Sequence, residues 1–250
     1  MTAASVAAES AINLGIMTAL TATPAQTSRF PLRCRMPGGE RVTVTLEQEA
    51  GKVDLNAATP AVLARLFTAL TFDQSAGSRI AGRIVAFRES AGVQPKETDP
   101  RAAENKSGNA RKTGFTTIMQ LDQIVAISPR LFRTALRLVT VRSGRPEPVA
   151  EAASPALREA LKLDQKPAGP AADAPAIGEV TIRADVRAAD GTRFIREALV
   201  SLAANGRPYL IREWRHGDID PGARGSTTQD RGDTEPRENG CFRISGAAGS

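Results

Sequence analysis

The residue types that could do chemistry are few. The 250-residue chain holds one histidine, His216, and two cysteines, Cys34 and Cys241. A histidine-based zinc site or a Ser-His-Asp triad has almost no material, because each needs several such side chains to converge. Cys34 and Cys241 stand at opposite ends of the chain, outside any C-x-x-C spacing. They can be joined in an oxidising compartment or can both be free. No G-x-x-x-x-G-K-[ST] loop offers backbone N–H groups to a phosphate, and no G-x-S-x-G turn presents a serine. These absences point away from an enzyme. Asp185, Asp190, Asp218 and Asp220 have oxygens suited to Ca2+, but they lack the dense carboxylate spacing of a calcium loop, so no cofactor or metal is expected.

Two polar sets remain. One is the run Lys52-Val53-Asp54-Leu55-Asn56-Ala57-Ala58-Thr59-Pro60, in which Asp54 and Asn56 read as turn and cap residues closing a strand. The other is Arg79, Arg83 and Arg88, which read as the solvated face of a helix. The net charge of +6 is not concentrated. Residues 218–250 hold four Arg against six Asp and Glu, which leaves 29 basic and 21 acidic side chains in residues 1–217, scattered from Arg29 to Arg215. Scattered arginine reads as a solvated surface rather than a polyanion track. Aromatic residues make up only 4% of the chain, too few for a base-stacking binder.

The elements that must position these residues begin with an Ala-rich helix over Met1–Leu20. Its Ile12, Ile16 and Leu20 form an apolar set suited to its own sheet or to a partner. No stretch offers the roughly 20 apolar residues of a membrane span. The stretch Arg29–Gly39 reads as a loop, and Val42, Val44 and Leu46 alternate with polar neighbours as a half-buried strand. Thr59-Pro60 starts a helix, because threonine can accept from free N–H groups of the first turn and proline loses nothing at the first helical position. A second helix with Ile80, Ile84 and Phe87 inward completes a hairpin, and residues 91–114 read as a long loop. Ile118, Leu121, Ile124 and Val125 suggest a short helix, Ser128-Pro129 starts another, and Leu138–Val141 reads as a strand. Ser154-Pro155 starts one more helix, and residues 165–178 form a Pro/Ala/Gly-rich linker. Strands then alternate over 180–187, 193–202 and 209–215, with Asp190-Gly191 and Asn205-Gly206 as turns.

The expected fold class is therefore α+β, with an N-terminal helix, an antiparallel sheet and an inserted helical domain. The expected boundaries are an N-terminal helix and loop over 1–40, a first β segment over 41–58 and the helical insert over 59–137. The remaining β-domain covers 138–217, with an insertion or linker at 143–178, and 218–250 is a disordered tail.

Two families share parts of this pattern. The run Val53-Asp54-Leu55-Asn56 with Ala58, followed by Ile84 to Arg88, resembles the helix-hairpin-helix DNA-binding module. That module binds phosphate through hairpin glycines, where this chain has Thr68 to Gln74. A longer resemblance is to the K-type minor pseudopilins of type II secretion systems. It covers Glu49 to Ala58, Ile84 to Arg88, Phe115 to Ile124, Ile127 to Phe132 and Leu138 to Gly144, in order and in spacing. The resemblance implies a non-enzymatic subunit at the tip of the secretion pseudopilus, with an α-domain inserted into a pseudopilin sheet. It also implies other minor pseudopilins and inner-membrane secretion components as partners, and an inner-membrane location facing the periplasm. The Ile12, Ile16 and Leu20 set would be the partner interface. The basic leader and membrane helix with which that family begins have no counterpart here, and Met1–Leu20 resembles the periplasmic half of that helix.

Overall fold

The computed structural model describes residues 3–21, 30–90, 114–163, 178–202, 206–217 and 241. In chain order the elements are α1 (Ala3–Thr21), β1 (Leu32–Arg35), β2 (Arg41–Gln48), a 3-10 turn (Glu49–Gly51), β3 (Val53–Asp54), α2 (Pro60–Thr71) and α3 (Gln74–Ser90). A second 3-10 turn (Ile118–Gln123), α4 (Pro129–Ala135), β4 (Val139–Thr140) and α5 (Pro155–Leu161) follow. The chain then forms β5 (Glu179–Arg187), β6 (Arg193–Leu202) and β7 (Tyr209–His216). The fold is α+β, as the sequence patterning implies. It divides into two compact units, one of residues 1–48 with 170–250 and the other of residues 49–169.

The sheet unit has five antiparallel strands in the order β1-β2-β5-β6-β7. The β5–β6 hairpin turns at Gly191, whose φ of 84° suits glycine, and the Asp190 carboxylate accepts from the Thr192 N–H at 2.8 Å. Strand alternation sends Val42, Val44, Val180, Ile182, Ala184, Val186, Ala198 and Val200 to one face, where α1 covers them. The buried side of α1 is mostly small: Ala4, Ala8, Ala11, Ile12, Gly15, Ile16 and Ala19. Small residues let the helix lie close, and at Gly15 a Cβ would fall 2.8 Å from Ile182 Cγ2 and 3.0 Å from Val44 Cγ1. By length and composition α1 could cross a membrane, with a mean hydropathy of 1.3, contrary to the expectation that no stretch approaches a span. Its alanines contribute to that hydropathy, and 44% of the same window is buried inside the protein. The expected loop at Arg29–Gly39 contains β1, which is only four residues long and pairs with β2 across a turn held by the Met36 N–H donating to the Glu40 carbonyl. So short a strand leaves little periodicity to read.

The helical unit is larger than the expected 59–137 insert. Lys52–Asn56 and Val139–Thr140 do not extend the main sheet. They form a separate two-stranded parallel ladder, β3 with β4, sealed by Val53 N–H to the Leu138 carbonyl at 2.9 Å and Leu55 N–H to the Thr140 carbonyl at 2.8 Å. The stretch 143–163, expected to be insertion or linker, belongs to the same unit, with Ala153, Leu157 and Leu161 buried in its core. Three helices start at a hydroxyl residue followed by proline. Thr59, Ser128 and Ser154 accept from the N–H groups of Val62, Leu131 and Leu157, each at 3.2 Å. The expected helix at Ile118 is a 3-10 turn with a Thr117–Gln120 capping box, and Val125 points outward, 86% exposed, rather than into the core. Helices α2 and α3 cross so closely at Gly77 that a Cβ there would lie 2.2 Å from Thr68 Oγ1 and 2.5 Å from the Thr68 nitrogen.

The expected loop at 91–114, apart from Gly114, and the linker at 165–178, apart from Gly178, lie outside the described residues. So does the 218–250 tail, apart from Cys241. Cys241 forms a disulfide with Cys34 across a sequence separation of 207, with Cα atoms 4.9 Å apart, and its N–H donates to the Arg35 carbonyl at 3.0 Å. The pairing left open by the sequence is thus a bond between the sheet's edge strand and the far end of the chain.

Candidate functional site

The most conspicuous polar run, Lys52 to Asn56, is turned into its own unit, with only Asn56 half-buried. Asp54 is 1% exposed. Its Oδ1 accepts from the N–H groups of Asn56 at 2.8 Å and Ala57 at 3.1 Å, and its Oδ2 from Ser143 Oγ at 3.1 Å and the Gly144 N–H at 2.8 Å. One carboxylate therefore fastens the exit of β3 to the segment after β4. Asn56 uses both ends of its amide on Phe115, donating to its carbonyl at 2.9 Å and accepting from its N–H at 2.7 Å. Lys52 and Glu49 form a buried ion pair at 2.7 Å. Burying such groups is tolerated only when their donors and acceptors are met, and here they are.

Arg88 departs from the expected solvated face. Its Nη1 donates to the carbonyls of Ala58 at 2.8 Å and Asn56 at 3.1 Å, so it closes the segment before α2. Arg79 and Arg83 are exposed on α3, as expected, and Arg79 donates to Ser75 Oγ at 2.6 Å. At the α2–α3 junction the Asp73 carboxylate accepts from the Ser75 N–H at 2.8 Å and the Ala76 N–H at 3.1 Å. Those backbone bonds hold its pKa below the ordinary 3.8. They also occupy, with a fixed negative charge, the N–H groups that a phosphate would need at this helix start. Phe72, just before it, has a φ of 58° and is 94% exposed.

Of the expected partner interface, Ile12 and Ile16 are fully buried on their own sheet, and Leu20 is half-buried against the same core. The outward side of α1 is a different set: Val6 (51% exposed) and Met17 (56%), with Asn13 and Thr21. The one charged residue of the helix, Glu9, is held by Arg196 at 2.7 Å. An outward helix face with no unpaired charge is unusual for a solvated surface.

Across the sheet, on the side away from α1, Arg183 is held by Glu197 and Arg193 by Asp185, with Arg193 Nε 2.9 Å from Asp185 Oδ1. Asp185 is thereby engaged by a guanidinium and Asp190 by its hairpin, with hydrogen bonds to Thr192 lowering its pKa. Asp218 and Asp220 lie outside the described residues. Among the described residues no three His, Cys, Asp or Glu side chains converge to hold a metal. His216 lies edge-on to Phe194, with ring centroids 5.3 Å apart.

The outward residues of α1 and a row of arginines on the sheet were missed by sequence reasoning. The first follows from helical spacing once the buried side is known. The second needs the strand register. Compared with known proteins, the chain matches no family model and no curated sequence.

Proposed function

We propose that this chain is a non-enzymatic assembly subunit of the minor pseudopilin kind. The observation that carries the reading is the interruption of one unit by another. Strands β2 and β5 are register partners from Arg41↔Arg187 to Gln48↔Val180, while most of the chain between them folds as a separate helical unit. A helical unit set into an antiparallel sheet with an N-terminal helix is the architecture that the resemblance implies. In this reading the helical unit blocks addition of a further subunit at the pseudopilus tip, and α1 contacts other minor pseudopilins through Val6 and Met17 rather than through the buried Ile12 and Ile16. Work at the periplasmic side of an inner membrane would suit the disulfide, which persists in oxidising compartments. A helix-hairpin-helix DNA-binding role has less support, because Asp73 fills the helix start where the module takes its phosphate.

Gene deletion with complementation tests the proposal. Loss of the gene should abolish export of type II substrates, and the wild-type chain should restore it. Normal export without the gene would refute the assignment.

A further inference from the structure

The sheet register brings together arginines that lie far apart in the chain. Arg35 is the Cα partner of Arg41, Arg41 of Arg187, and Arg187 of Arg193. One rung at the end of the sheet therefore carries an arginine on each of four neighbouring strands, a row about 14 Å long at ordinary strand spacing. Their rung neighbours Cys34, Val42 and Val186 point into the core beneath α1, so alternation places the arginines on the opposite face. Arg33 adds a fifth cation on that face, two residues from Arg35. Like charges directly across from one another repel. Asp185 engages Arg193, whereas Arg33, Arg41 and Arg187 are exposed and have no side-chain ion pair among the described residues.

We infer that this end of the sheet docks on an anionic phospholipid surface. Guanidinium groups suit phosphate, and a straight rung of them suits a flat array of headgroups. Among the described residues the next rung on this face carries no ring for base stacking, only Arg33, Thr43, Asp185 and Ile195. The Cys34–Cys241 bond, one residue from Arg35, points to an oxidising compartment, where lipid headgroups rather than nucleic acid are the abundant polyanion. The inference rests on register and disulfide alone and is independent of the assembly reading.

The test is flotation of the full chain with vesicles of phosphatidylcholine alone and of phosphatidylcholine mixed equally with phosphatidylglycerol. Binding to the mixed vesicles only is expected. Each basic side chain near an anionic surface contributes about fivefold, so Arg41→Gln with Arg187→Gln should weaken binding about 25-fold. Arg79→Gln with Arg83→Gln removes the same charge from α3 and should leave binding unchanged. The sheet variant should melt no lower than wild type, since it relieves repulsion, which separates lost binding from lost folding. Absence of binding to the mixed vesicles would overturn the inference, as would equal losses in the two variants. Tighter binding to a short DNA duplex, with the same dependence on Arg41 and Arg187, would assign the row to nucleic acid instead.

Discussion

In the helical unit Asp54, Asn56 and Arg88 direct their polar atoms mostly to backbone groups of that unit, whereas in the sheet unit Arg183 and Arg193 are held by carboxylates on neighbouring strands. The helical unit also has the larger core residues, with Phe67, Leu63, Leu66, Ile84 and Leu121 fully buried, while much of the sheet unit's core is Ala, Val and Ile. The eye-catching motif therefore fastens backbone to backbone, and the ordinary-looking charges and apolar side chains of the other unit form its surfaces. A polar run that stands out in a sequence is not thereby a site.

The largest effect should come from Asp54→Ala. It leaves two backbone N–H groups near Asn56, the Gly144 N–H and the Ser143 hydroxyl without their acceptor. We expect a loss of about 3–5 kcal/mol, measured by urea unfolding. Trp214 sits in the sheet unit, and a loss confined to its fluorescence would break the comparison between the units. Replacing Cys34 and Cys241 together by Ser should cost about 2–5 kcal/mol and should be read by Trp214. Gly15→Val drives methyl groups into Ile182 and Val44 and should cost about 1–3 kcal/mol in the same signal. The smallest effect belongs to Asp73. Its pKa is depressed in the folded chain, so its contribution is complete above its unfolded value and fades as pH falls through the folded one. The stability difference between wild type and Asp73→Ala should be constant near neutrality and shrink in acid. A difference that grows in acid would contradict a depressed Asp73 pKa.

Local signals were the legible ones. Thr59-Pro60, Ser128-Pro129 and Ser154-Pro155 mark helix starts because the capping bond spans only three residues, and Asp190-Gly191 marks its hairpin by the backbone it must adopt. The N-terminal helix and the alternation of β5 and β6 were equally local. What the sequence hides depends on distant contacts. The partner of Val139–Thr140 is Val53–Asp54 rather than the main sheet, which no periodicity in two residues can specify. Arg88 shares a helix with the exposed Arg79 and Arg83 and turns inward only because the carbonyls of Asn56 and Ala58 lie beside it. Ile12 and Ile16 read equally well as interface or core until the sheet beneath them is known.

In the proposed function, the outward face of α1 is the contact for other subunits. Its most direct test is sedimentation velocity of the chain mixed with the minor pseudopilins that the proposed function makes its partners, for wild type and for Val6→Glu with Met17→Glu. Both residues are exposed, so the variant should fold and melt as wild type does. The account predicts a mixed complex with wild type that the variant fails to form. A complex that forms equally well with the variant, or components that sediment separately with wild type, would contradict it.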